Sequence, residues 1–125
     1  MEQMERIEEF EIGGKNFMYI DLTMLKNTDE LREVAGVVKA AVAKYPEASL
    51  HMITNLGDFW LDSESMSMFE QCIALNVNYT KACAITGMDG IKKLMVKAAA
   101  KKAGKSGIVF SFTKERAIEL LLAQT

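Results

Sequence analysis

Hydrophobic residues recur along this chain in two rhythms, every second residue and every third or fourth, and the switches between them mark nine elements. Phe10 and Ile12, then Phe17 to Leu22, flank Gly13-Gly14, a pair that tolerates the positive φ of a tight turn; the first two strands are predicted to form an antiparallel hairpin at a sheet edge. Asn27 and Glu30 have capping-box spacing, and Leu31, Val34, Ala35, Val38, Val42 and Tyr45 follow at helical spacing until Pro46, the only proline, ends the run. Leu50, Met52 and Ile53 read as a buried strand, Gly57-Asp58 as a turn, and Asp62-Ser63 as the start of a helix with Met66, Phe69, Ile73 and Val77 on one face. Lys81 to Gly87 is a compact apolar strand, closed by Gly87-Met88-Asp89-Gly90. Asp89 is predicted to cap a third helix whose inner face is Ile91, Leu94, Met95 and Ala98, with its lysines facing water. After Gly104, the alternation of Ile108, Phe110 and Phe112 predicts a last strand, and Thr113 caps a final helix carrying Ala117, Leu120 and Leu121.

The order β-β-α-β-α-β-α-β-α, without linker or repeat, predicts one α/β domain over residues 1–125 with a mixed, mostly parallel sheet. The carboxyl ends of parallel strands share a rim, where ligands and partners usually meet such a domain. Asn55, Asp58, Thr86, Asp89 and Thr113 map to that rim.

Half of the 125 residues are hydrophobic and about a quarter charged, the balance of a globular chain and not of a disordered one. The apolar runs are too short to span a bilayer, and the acidic start MEQMERIEEFE is unlike a signal peptide, so the expectation is a cytoplasmic protein without a membrane span. Net charge is −2, with acids at the start and Lys92, Lys93, Lys97, Lys101, Lys102 and Lys105 in one later segment. An overall basic nucleic-acid footprint is absent, so no nucleic-acid partner is expected. The lysine segment reads first as a solvated helix face, with acidic lipid headgroups or another subunit's acidic N-terminal segment as alternative partners.

Catalytic signals are weak. His51, the only histidine, lies mid-strand with no serine or cysteine placed to use it as a base. Cys72 and Cys83 lack metal-site spacing and read as reduced core residues. Asp21, Asp58, Asp62 and Glu70 are scattered, and no Walker or GxGxxG loop occurs. No enzyme, cofactor or metal is therefore expected. Phe59 and Trp60, large aromatics among polar residues, suggest an interface anchor or a pocket wall, or else one of them tucks under the loop to cover the core. Met66 and Met68 suit either a core or an adaptable groove.

The segment FWLDSESM between a strand and a helix, together with Ile85-Thr86-Gly87, Phe112-Thr113 and Leu120-Leu121-Leu122, resembles STAS domains, the anti-sigma-factor-antagonist fold, and most closely their SpoIIAA-like branch. The resemblance covers nearly the whole chain. It implies a regulatory binding module with a protein partner or self-association as a homodimer, acting through Asn55, Asp58, Phe59, Trp60, Asp62 to Ser65, Thr86 and Asp89. Regulatory members carry a DSSG-like element whose second serine is phosphorylated. Here Asp62 and Ser63 match, Glu64 stands at the phosphoacceptor place and Ser65 at the glycine, so Ser63 or Ser65 becomes the candidate phosphorylation site. SpoIIAA-like domains are also similar in fold to CRAL-TRIO lipid-binding domains, which implies an alternative role as a carrier of a small apolar molecule or lipid.

Overall fold

Gly13 and Gly14, at φ 58° and 80°, make the tight turn between β1 (Ile7–Ile12) and β2 (Lys15–Asp21), and the two strands pair antiparallel in the register Phe10 to Phe17. The structure, a computed structural model, describes residues 5–60, 62–88, 90–105 and 107–124. Beyond the hairpin come α1 (Thr28–Val42), β3 (Leu50–Asn55), α2 (Ser63–Asn76), β4 (Thr80–Thr86), α3 (Gly90–Lys102), β5 (Val109–Ser111) and α4 (Lys114–Ala123), with one 3-10 turn at Val77–Tyr79 before β4. The α/β class and the element order agree with those predicted.

The sheet runs β1-β2-β3-β4-β5, parallel from β2 onward. Each right-handed crossover advances one strand in the same direction, which puts α1, α2 and α3 on a single face. Strand alternation then divides the interior in two. Met18, Ile20, Met52 and Ile85 point toward those three helices, while Phe17, Ile53, Ala82 and Ala84 point toward α4. Alanines at 82 and 84 leave room for α4 to lie close, and it inserts Ala117 and Leu121, one turn apart, against them. Lys114 fastens the start of α4 to the hairpin by pairing with Glu8 and lying over the Phe10 and Tyr19 rings.

Helix ends follow the capping logic with local variations. Asn27 accepts from Glu30 N–H, but the Glu30 carboxylate turns back to Lys26 N–H, one residue before the cap. Helix α1 stops at Val42, before Pro46, and Tyr45 turns its hydroxyl to Glu9 Oε1 at 2.5 Å. This bond holds the Glu9 carboxyl below its ordinary range and pushes the Tyr45 phenol up to about 12.

Two expectations are corrected. Helix α3 turns Val96, Ala99 and Ala100 inward and leaves Leu94 and Met95 in solvent, 65% and 40% exposed, the reverse of the predicted inner face; the side chain of Ile91 lies outside the described set. Strand β5 is only three residues long, so Ile108 and Phe112 flank it, and Phe112 is 79% exposed.

Candidate functional site

At the carboxyl ends of the parallel strands the β3–α2 and β4–α3 loops touch. Gly87, at φ 84°, comes so close to the neighbouring loop that a Cβ on it would lie 2.6 Å from Gly57 N and 2.7 Å from Asn55 Oδ1. Asn55 organises this corner: its Oδ1 accepts from Gly57 N–H at 3.0 Å, its Nδ2 donates to Tyr19 Oη at 3.0 Å, and its carbonyl accepts from Leu22 N–H at 2.9 Å. Leu56 N–H crosses to the Thr86 carbonyl at 2.9 Å. Asp58, at φ 55°, completes the turn. Arg6, from ahead of β1, donates to the Asp21 and Thr23 carbonyls where β2 ends.

Helix α2 begins beside this corner. Asp62 Oδ1 accepts from Ser65 N–H at 2.8 Å and Ser65 Oγ accepts from Asp62 N–H at 2.9 Å, a reciprocal capping box that uses serine where glutamate is usual. Of the rim residues read from the sequence, Asp58, Asp62, Ser63 and Glu64 are exposed, and Asn55 and Trp60 are partly buried. Phe59, Ser65 and Thr86 lie in the interior, so they present no side chain to a partner. Phe59 packs on Trp60 and Phe69, with ring centroids 5.0 and 6.5 Å away, and closes the core beneath the loop. The Ser65 hydroxyl is sealed within the cap, so of the two candidate serines only Ser63 is exposed. Asp89 lies outside the described residues.

A second feature sits one layer deeper. Helix α1 buries Leu31, Val34, Val38, Ala41 and Val42, whereas α2, nearly as long, buries only Ser65 and Phe69. Between them an apolar groove of about 70 Å³ opens over β2, β3 and β4, walled by Val34, Val38, Phe69 and Ile73 and floored by Met52 and Ile85. Apart from Thr54 on β3, its polar lining gathers at one end. There Asn76 Nδ2 donates to the Cys72 carbonyl at 3.0 Å while its Oδ1 is buried without a partner. Thr80 and Lys105 line the same end. Cys72 and Cys83 also line the groove, and burial pushes both thiols up to about 11, so they stay protonated and unreactive at neutral pH.

No protein-family model, curated protein or solved structure matches the chain.

The sequence reading missed this groove, though one signal for it existed. Phe69, Cys72, Ile73 and Asn76 fall on one helical stripe, and the last of them puts an amide where an apolar residue would ordinarily point inward. Among the described residues, no three metal-binding side chains cluster, and no helix is long and apolar enough to cross a membrane.

His51 lies at the opposite ends of the strands from the rim, 2% exposed, its ring stacked on Phe17 at 5.0 Å and its Nδ1 3.3 Å from the Asn16 carbonyl. Its Nε2 is buried without a partner. Burial first, then the charges of Lys15 and Lys81, outweigh the Asn16 carbonyl and hold its pKa below the ordinary 6.5. The folded state therefore keeps the ring neutral at pH values where the unfolded chain takes up a proton. Stability is expected to fall as pH drops below 6.5, by at most about 1.4 kcal/mol per unit, down to the folded pKa. Urea titrations at pH 7 and 5 check this, and His51→Phe should flatten the difference.

Proposed function

We propose that this chain is a non-catalytic binding domain that takes up a small apolar molecule in the groove between α1 and α2. The observation that carries the reading is an almost wholly apolar groove whose polar end is lined by Asn76, a residue with a buried, unpartnered acceptor, Oδ1. An unsatisfied buried acceptor costs about 1–3 kcal/mol, and a ligand hydroxyl or amide would supply its missing donor. About 70 Å³ is less than half of the ~150 Å³ known to admit benzene in an apolar cavity, so a ligand of useful size has to displace a wall. Helix α2 is the wall that can move, since so little of it is buried.

The test is a fluorescence titration with N-phenyl-1-naphthylamine, a neutral apolar dye that carries one N–H donor. Wild type is expected to bind it. Ala35→Phe, at a partly buried position on the α1 wall, should fill the groove and weaken binding by about tenfold or more, the weight of one well-placed ring, while leaving the melting temperature nearly unchanged. Absence of binding to wild type, or equal binding to both proteins, would overturn the carrier reading.

A second reading is favoured by the exposed pair Ser63 and Glu64 in the first turn of α2. It makes the chain a STAS-like regulatory module whose partner surface is Asp58, Trp60, Ser63 and Glu64. Phosphate on Ser63 would add close to two negative charges beside Glu64 and alter that surface. Native mass spectrometry of protein taken from cells separates the readings, since a bound small molecule supports the first and a phosphate on Ser63 the second.

A further inference from the structure

Helix α3 hides its smallest apolar residues and displays its largest. Val96, Ala99 and Ala100 face the core, whereas Leu94 and Met95 stand in solvent, an arrangement that fold stability alone does not favour, because Leu buries far more apolar area than Ala. The lysines complete the pattern. Between residue 89 and Glu115 the sequence contains no Asp or Glu, yet it carries Lys92, Lys93, Lys97, Lys101, Lys102 and Lys105. Of these, Lys102 meets an acid, Glu70, at 4.0 Å with its own side chain 77% exposed; Lys93 lies over the Phe110 ring and Lys105 reaches the Lys81 carbonyl. At 100° per residue Leu94 and Ala98 lie near the centre of the outward face, with Lys97 and Lys101 on one side and Lys102 and Met95 on the other. Beside the helix runs an open groove of about 370 Å³ with Leu94, Ala98 and Ile108 as its apolar lining and Lys97, Lys101 and Lys105 as its cations.

We infer that the outer face of α3 docks on an anionic phospholipid surface, with Leu94 and Met95 entering the headgroup layer and the flanking lysines meeting lipid phosphates. Charge complementarity selects the occupant: a concentrated positive patch on a chain of net charge −2 requires a polyanion, and the outward Leu94 and Met95 require that polyanion to offer an apolar layer as well. Nucleic acid offers the charge without that layer. An acidic peptide segment could meet Lys97 and Lys101 but would offer no continuous apolar layer for Leu94 and Met95 to enter. Lys105 lines both this groove and the polar end of the α1–α2 groove, so the membrane-facing side adjoins the end where Asn76 lies. The inference rests on α3 and holds whether or not the α1–α2 groove takes up a ligand.

The experiment is co-sedimentation with phosphatidylcholine vesicles, with and without phosphatidylserine, at low and high salt. Wild type should sediment only with the anionic vesicles and be released as salt rises. Lys97→Gln and Lys101→Gln should each weaken binding about fivefold, the weight of one lysine near an anionic surface. Leu94→Ser should weaken it about tenfold and leave the fold intact, because that side chain is already in solvent. Lys39→Gln, on the exposed side of α1, serves as the control and should change nothing. Failure to bind anionic vesicles, binding undiminished by the α3 variants, or displacement from vesicles by a duplex oligonucleotide at equal phosphate would each overturn the inference. The α3 variants should bind N-phenyl-1-naphthylamine as wild type does, which separates this result from the groove reading.

Discussion

Gly87→Ala is expected to lower stability by about 2–4 kcal/mol, because it combines a backbone penalty with a collision. The φ of 84° lies in the left-handed region, where a residue with a Cβ pays about 1–2 kcal/mol. The new methyl would also lie 2.6 Å from Gly57 N and 2.9 Å from Gly57 Cα, and both obstacles are backbone that no rotamer change can clear. Gly14 separates the two effects, since its φ of 80° is nearly the same but a Cβ there meets nothing within 4 Å. Gly14→Ala should cost only the backbone term, and urea unfolding of the two variants reads the difference. Equal costs would mean that the rim loops part without resistance and that their contact does not hold the corner together. If the loops are forced apart, the start of α2 moves with them. Dye binding in the α1–α2 groove should then change in Gly87→Ala and stay unchanged in Gly14→Ala.

That corner shows how far the sequence could be read. The turn at Gly57-Asp58, the Asp62 cap and the Gly87 turn were each visible from residue type, and right-handed crossovers placed all three at the same ends of the strands. Which rim side chains point outward was not visible. Residue type left open whether Phe59 or Trp60 covers the core, and it put Ser65 at the rim; Phe59 closes the core and Ser65 completes the cap, because loop backbone sets their direction and follows no periodicity. Helix α3 failed for a different reason. Two stripes fit its sequence, Ile91-Leu94-Met95-Ala98 and Val96-Ala99-Ala100-Ala103, and weighing residues by hydrophobicity favours the first. The structure takes the second, whose small side chains let the helix approach its neighbours closely, and that choice leaves the large residues for an outside surface. The α1–α2 groove is a spacing between two helices, a tertiary quantity to which no local rhythm responds.

Phe17→Ala is expected to be a very costly truncation, about 3–5 kcal/mol, a large share of the 5–15 kcal/mol typical of a whole domain. Phe17 is fully buried at the centre of the smaller core under α4, with its ring 5.3 Å from Phe10 at 7° between planes and 5.0 Å from His51. The same ring is one wall of the dry site that keeps His51 neutral. Its removal leaves space beside the imidazole that water can enter, so the histidine can charge in the folded state and the loss of stability between pH 7 and 5 should shrink. Phe17→Leu retains most of the volume, should cost about 1–2 kcal/mol and should keep the pH dependence of wild type. Urea titrations of the three proteins at both pH values decide the matter even if Phe17→Ala is only marginally folded, since the leucine variant and wild type fix the slope. If Phe17→Ala loses as much stability on acidification as wild type, something other than this ring keeps water from His51. If it costs under about 1 kcal/mol, the face under α4 is not a core at all, and the anchoring of α4 would have to come from its surface ties to the hairpin, Lys114 to Glu8 among them.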